Sequence, residues 1–196
     1  MNSTPSIEVF VLAGGQSSRM GKDKGLIHLN GRPMVSYVLQ ALEELALPIS
    51  IIANRTGYES FGYRVLKDEV PEKGPMGGLY TALQNSSAEL VLLVACDMPM
   101  VTTEAFCLLM NSAAKDKISV AAEGEKINPL LALYPRDLKD KVKDSLNKGD
   151  LKMADFILRN RHILVTSIGE RTPLALRNIN DKNDLKEAEE KWEDLQ

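Results

Sequence analysis

The sequence predicts an α/β fold, a mostly parallel sheet with helices on both faces. Three observations predict it. Short strand-like segments alternate with helical ones through about residue 120. The runs IEVFVL (7–12) and LVLLVA (90–95) are apolar throughout, the pattern of strands covered on both sides rather than on one. Glycine and polar residues follow directly at the ends of these runs, where open α/β sheets bind ligands.

The elements follow in order. Ile7 to Leu12 is the first strand and ends at Gly14-Gly15. Asn30-Gly31 marks a tight turn, and Pro33 sits where a helix can begin. Val35, Val38, Leu39, Leu42 and Leu45 recur at helical spacing within 34–45. Ile49 to Ala53 and Tyr63 to Leu66 are the next strands. Gly74-Pro75-Met76-Gly77-Gly78 opens a helix that runs to about Gln84. Leu90 to Ala95 is the strongest strand and ends at Cys96-Asp97-Met98-Pro99. A helix over about 102–113 follows, with Thr102 or Thr103 as N-cap. Ile118 to Ala122 is a strand, and Asn128 to Tyr134 is another, expected on the far side of the sheet. Helices are expected over 136–147 and 151–159, a late strand over 163–168, and a charged helix over 181–195. With no repeat, low-complexity tract or linker, the reading is one domain over 1–196, with a first part near 7–115 and a second near 116–196.

Composition bounds the function. The chain has 196 residues, 44% hydrophobic and 26% charged, which suffices for one substantial core. The formal net charge of −3 argues against coating nucleic acid or an anionic membrane, since both favour a cationic face. A local positive pocket for a small anion remains compatible with it. Cys96 and Cys107 belong to no CxxC pair or Cys/His cluster and read as reduced thiols. Residues 1–6 lack the basic and apolar regions of a signal peptide, and no apolar run is long enough to span a bilayer. The expectation is a cytoplasmic protein with no nucleic-acid or membrane partner.

Residues 12–24 read LAGGQSSRMGKDK. Glycines let the backbone approach a ligand, and successive N–H groups in such a turn form an anion-binding nest. Arg19, Lys22 and Lys24 add three cations, and phosphate is the natural partner of that combination. A P-loop is excluded because five residues, not four, separate Gly15 from Gly21 and Asp23 follows Lys22. The dinucleotide pattern GxGxxG is absent. Asp97, at the end of the strongest strand, is a hard oxygen ligand suited to Mg2+, or else a cap on the following turn.

The segment LAGGQSSRMGKDK resembles the signature LAGGxSxRMGxDK of the molybdenum cofactor guanylyltransferases, and more loosely the LAAGxGxRM loop of sugar-nucleotide pyrophosphorylases and cytidylyltransferases. The resemblance implies a Rossmann-like sheet of the nucleotide-diphospho-sugar transferase type. It implies that the backbone of Leu12, Ala13, Gly14 and Gly15 contacts the nucleotide and that Lys24 contacts its phosphates. Arg19 would stabilise the leaving pyrophosphate. Asp97 in its Asp-x-Pro motif would bind Mg2+. Asp68, followed by Gly-Pro-Met-Gly-Gly, matches the family's Asp and Gly-Pro-Leu-x-Gly, which puts Asp68 and Gly77 near the nucleotide. Asn54-Arg55 matches an Asn-Arg pair; Asn54 either offers a donor and an acceptor to base or ribose or only forms a turn.

Arg177-Asn178-Ile179-Asn180 resembles the family's Asn-x-Asn segment. By alternation Asn178 and Asn180 share a side of an extended segment and could both face acceptor or metal, while Asn180 also reads as a helix N-cap. The chain has Asn128-Pro129 where the family often has His-Pro, and Gly149-Asp150-Leu151-Lys152 where it often has Gly-x-Arg. The implied reaction is transfer of GMP from GTP to the terminal phosphate of the molybdopterin cofactor, releasing pyrophosphate. Partners would be GTP, that cofactor, and other cofactor-biosynthesis or molybdoenzyme-maturation proteins. The competing readings are cytidylyl transfer, a sugar-phosphate acceptor, and a nucleotide-binding regulator without turnover.

Overall fold

The computed structural model describes residues 4–13 and 23–192. Strand β1 is Ile7–Leu12. A 3-10 turn over Lys24–Leu26 leads into a small hairpin of β2 (His28–Leu29) and β3 (Arg32–Pro33). Asn30 and Gly31 have φ of 47° and 78°, the left-handed pair that a two-residue hairpin turn of matching twist requires. Helix α1 (Met34–Glu43), β4 (Ile49–Ile52), β5 (Arg64–Leu66), α2 (Gly74–Asn85) and β6 (Leu90–Ala95) follow. Then come α3 (Thr103–Asn111), β7 (Ile118–Glu123), β8 (Lys126–Pro135), α4 (Lys139–Lys148) and α5 (Met153–Arg159). The described chain finishes with β9 (His162–Val165), α6 (Ser167–Arg171) and α7 (Lys182–Lys191).

Seven strands form one sheet in the order β5-β4-β1-β6-β8-β7-β9. Among these seven only β8 runs against the others, pairing antiparallel with both β6 and β7. The expected strand at 128–134 is therefore correct, but its expected place is not. It lies inside the sheet, because the short loop after β7 returns the chain directly between β6 and β7. The β7–β8 register breaks where Val120 pairs Ala132 but Ala121 pairs Asn128. Pro129 stands in that break, where its missing N–H costs no ladder bond.

The apolar runs are buried on both faces, as their composition requires. Val9, Val11, Leu92 and Val94 meet α1 and α3 through Val38, Leu42 and Phe106 on one side. Phe10, Val91 and Leu93 meet α2, α4 and α5 through Leu79, Val142 and Phe156 on the other. A third cluster joins Leu29 and Met34 to Ile179 and Ala188, which docks α7 on the hairpin. Thr102 caps α3 by accepting the Ala105 N–H at 3.2 Å. Asp181, not Asn180, caps α7. Its carboxylate accepts from the Asn183 and Asp184 N–H groups, and Asp184 returns the bond in a capping box. The acidic residue at the third helical position decides between the two candidates. Cys96 is buried, Cys107 is partly buried, and neither is in a disulfide. Among the described residues no helix is long and apolar enough to cross a membrane.

Candidate active site

The carboxyl ends of β1, β4, β5 and β6 open into a cavity of about 740 Å³, within the range of about 300–1,000 Å³ typical of ligand sites. Leu12 and Ala13 reach it from β1, Asn54 and Arg55 from β4, Asp68 from the segment after β5, and Cys96 and Asp97 from β6. Parallel strands all deliver their ends to one side of the sheet, which brings residues far apart in sequence into one rim.

Lys24 is the centre of the cluster. Its ammonium donates to Asp97 Oδ2 at 3.0 Å and to Asn180 Oδ1 at 2.8 Å. Asp97 Oδ1 accepts from Asn178 Nδ2 at 2.8 Å. Both oxygens of Asp97 are thus engaged by side chains of the site rather than by the turn after β6, and the residue is only 8% exposed. Backbone pins the arrangement as well: the Ile179 N–H donates to the Asp97 carbonyl at 2.8 Å. Asn178 and Asn180 therefore share a side, as alternation predicted, with Ile179 buried between them. Asn128 supports the segment from β8, donating to the Leu176 carbonyl at 3.2 Å and approaching Asn178 Oδ1 at 3.4 Å.

The other wall is built on α2. Asn54 Oδ1 accepts the Asp68 N–H at 3.0 Å, and Asp68 Oδ1 accepts the Val70 N–H at 3.0 Å. Thr81, fully buried on α2, accepts the Glu69 N–H at 2.9 Å. Its own hydroxyl can donate to Asp68 Oδ1 at 3.0 Å or to the Gly77 carbonyl at 3.1 Å. A Cβ on Gly77 would lie 2.6 Å from the Val70 carbonyl, and one on Gly78 would lie 2.6 Å from Leu12. Glycine at both positions lets α2 press against the Asp68 segment and the end of β1. Gly78 lines the cavity, while Gly77 lies beneath it against Asp68.

Of the residues singled out from sequence, Leu12, Ala13, Lys24, Asn54, Asp68, Asp97, Asn178 and Asn180 line this one cavity. Gly14, Gly15 and Arg19 lie outside the described residues. Sequence reasoning missed Thr81, the support from Asn128, and a buried Asp23–Tyr58 pair behind Lys24. The tyrosine is 35 residues from its partner, and no local pattern announces it. Burial, with Cys96 and Asp23 beside it, pushes the Tyr58 phenol far above its ordinary range, so it stays a hydrogen-bond donor.

Among the described residues, no three His, Cys, Asp or Glu side chains gather to hold a metal ion. Asp97 Oδ2 and Asn180 Oδ1 nevertheless converge on one cation, the Lys24 ammonium. Such a sparse set of hard oxygens fits Mg2+, which takes one or two carboxylates and completes its shell with phosphates and water.

A mostly parallel α/β sheet with a lysine–carboxylate cluster over its strand ends defines a nucleotide-handling transferase. Solved structures share the whole architecture. The molybdopterin-guanine dinucleotide biosynthesis protein A of Archaeoglobus fulgidus superposes with a TM-score of 0.79 at 23% identity, covering 95% of this chain and 99% of that one. A 2-C-methyl-D-erythritol 4-phosphate cytidylyltransferase of Thermus thermophilus superposes with a TM-score of 0.71 at 17% identity, covering 96% and 99%. Both place the chain among folds of the nucleotide-diphospho-sugar transferase type. Residues 9–163 match the MobA-like NTP transferase domain, and the chain belongs to that family. Its relatives include a probable molybdenum cofactor guanylyltransferase of Flavobacterium johnsoniae, 32% identical over 92% of this chain and 95% of that protein. Another is a molybdenum cofactor guanylyltransferase of Shewanella baltica, 35% identical over 89% and 91%.

Proposed function

We propose that this protein transfers GMP from GTP to the terminal phosphate of the molybdopterin cofactor and releases pyrophosphate. One observation carries the reading: Lys24, Asp97, Asn178 and Asn180 converge at the rim of a nucleotide-sized cavity. An oxygen of the acceptor phosphate attacks the α-phosphorus of GTP, a new P–O bond forms, and the bond to the β-phosphate bridge breaks. No covalent intermediate with the protein is needed. The chain contributes alignment and charge stabilisation. Lys24 offers a positive charge to the phosphates, with Arg19 supplying a second one to the leaving pyrophosphate. Leu12, Ala13, Gly14 and Gly15 offer backbone to the nucleotide. Asp97, with Asn180 Oδ1 beside it, would hold Mg2+, which supplies neutralisation of triphosphate charge when bound. Asn178 and Asn128 keep Asp97 in place.

Chemistry on the α2 wall supports guanine over cytosine. Asn54 spends its oxygen on the Asp68 N–H and keeps its amide donors. Asp68 spends Oδ1 on the Val70 N–H and keeps Oδ2 as an acceptor. An acceptor beside a donor complements guanine, whose N1–H and N2–H2 donate and whose O6 accepts. Cytosine offers that carboxylate a single donor, N4–H2, where guanine offers the two adjacent donors N1–H and N2–H2. Residues 7–115 would then form the nucleotide half and residues 116–196 the acceptor half of one cytoplasmic domain. Partners beyond the two substrates would be proteins that make the cofactor or insert it into molybdoenzymes. Equilibrium titrations with GTP and CTP test the base assignment. Asp68→Asn is expected to weaken GTP by about tenfold and CTP by less; equal loss for both nucleotides would overturn it.

A further inference from the structure

A buried polar cluster lies behind Lys24 and takes no part in the transfer chemistry. Asp23 is 7% exposed, and Tyr58 is fully buried. The Tyr58 hydroxyl donates to Asp23 Oδ1, which also accepts the Gly25 N–H at 3.3 Å. Asp23 thereby caps the 3-10 turn Lys24–Leu26. Among the described residues its second oxygen, Oδ2, is buried without a hydrogen-bond partner.

Packing around the turn leaves no slack. A Cβ on Gly25 would lie 2.5 Å from the Tyr58 hydroxyl oxygen and 3.0 Å from Cys96 Sγ. Tyr58 packs within the main core and meets Phe61 with ring centroids 6.3 Å apart. The turn is thus pressed between a fixed ring and the end of β6. Lys24 is its first residue, and a lysine stem has four flexible carbons between backbone and charge. Fixing the backbone origin removes much of the freedom that would carry the ammonium away from Asp97 and Asn180.

We infer that Asp23 and Tyr58 are positioning residues: their buried hydrogen bond clamps the 24–26 turn and delivers the Lys24 ammonium between Asp97 and Asn180. The consequence for catalysis rests on the function proposed above. The clamp itself can be read without any nucleotide.

The test uses the full chain and the acylation rate of Lys24 by an N-hydroxysuccinimide acetate, followed by peptide mass spectrometry. The Lys24 side chain is 18% exposed and engaged by two oxygens, so it labels slowly in the parent protein. Tyr58→Phe is expected to speed its labelling about three- to tenfold, the worth of one lost hydrogen bond. Tyr63→Phe, whose hydroxyl serves Glu43 on the surface at 2.6 Å, is expected to leave it unchanged. Asp23→Asn keeps the volume and an oxygen for Tyr58, so its rate should fall between parent and Tyr58→Phe. It takes over the test if Tyr58→Phe does not fold. Parent-like labelling in a folded clamp variant overturns the proposal.

A catalytic cycle completes the test. Tyr58→Phe is expected to lower kcat with GTP about three- to tenfold, and to cost nothing further in the Lys24→Ala background. Additive losses would mean a merely structural role and overturn it. Absent GTP turnover in the parent, with the labelling response intact, would contradict the proposed function and leave the clamp standing.

Discussion

Replacing Asp97 by Asn isolates the charge at the centre of the site. The change keeps the side chain's shape but leaves one oxygen where two now accept, from Lys24 at 3.0 Å and from Asn178 at 2.8 Å. Whichever way the new amide turns, one donor loses its acceptor. The lost bond, charge-assisted at the Asp97 carboxylate, is worth about 1.5–3 kcal/mol. That predicts a barrier raised by about 1.5–3 kcal/mol, or a kcat lower by about 10- to 150-fold. Steady-state pyrophosphate release with GTP, Mg2+ and molybdopterin measures it, beside a thermal melt that checks folding. The partly exposed Lys24 can still reach water, so the melt should shift little. A folded variant within threefold of the parent in kcat would refute the reasoning.

Three further outcomes follow from single features. Gly77→Ala puts a Cβ 2.6 Å from the Val70 carbonyl; overpacking of this kind costs about 1–3 kcal/mol. Urea unfolding should show that loss together with a higher KM for GTP, and a parent-like midpoint would contradict the close packing. Asp181→Ala removes a cap with bonds of 2.8 and 3.0 Å to Asn183 and Asp184. It should cost about 1 kcal/mol in the same assay, without changing the α2 wall's preference between GTP and CTP. At alkaline pH, the folded protein keeps the buried phenols of Tyr58 and Tyr134 protonated, because burial raises both. The unfolded chain releases those protons from about pH 10 upward. Stability at neutral pH is therefore unaffected, and above pH 10 it should fall by about 1.4 kcal/mol per pH unit for each such tyrosine. Tyr58→Phe should flatten that slope in denaturant titrations across pH 9–11, and an unchanged slope would count against its raised ionisation.

Much of the fold was legible because its strands announce themselves. IEVFVL and LVLLVA need cover on two faces, and each becomes a strand between helical layers. The turn at Asn30-Gly31 was legible, but the two-residue strands around it were not, since so short a run has no alternation to read. The place of β8 was hidden for another reason. Local pattern identifies a strand but not its neighbours, and strand order is set by loop length and long-range pairing. At the site, Lys24, Asp97 and Asn180 span the chain yet meet within 3.0 Å. The strand-end rule brought Asp97 to the rim on paper and alternation put Asn178 and Asn180 on one side, but Lys24 and the two asparagines reached the site only through the resemblance. Asp23 and Tyr58 obey no such rule: a buried tyrosine reads as core, and only packing shows where its hydroxyl points.

The most direct test of the central claim is to supply the protein with molybdopterin, Mg2+ and each α-labelled nucleoside triphosphate in turn, and to weigh the product. The account predicts that label from GTP passes to the cofactor as a guanylyl group, with one pyrophosphate released per transfer, and that the other nucleotides are poor donors. Preferential transfer from CTP, or GTP bound without any label reaching the cofactor, would contradict it.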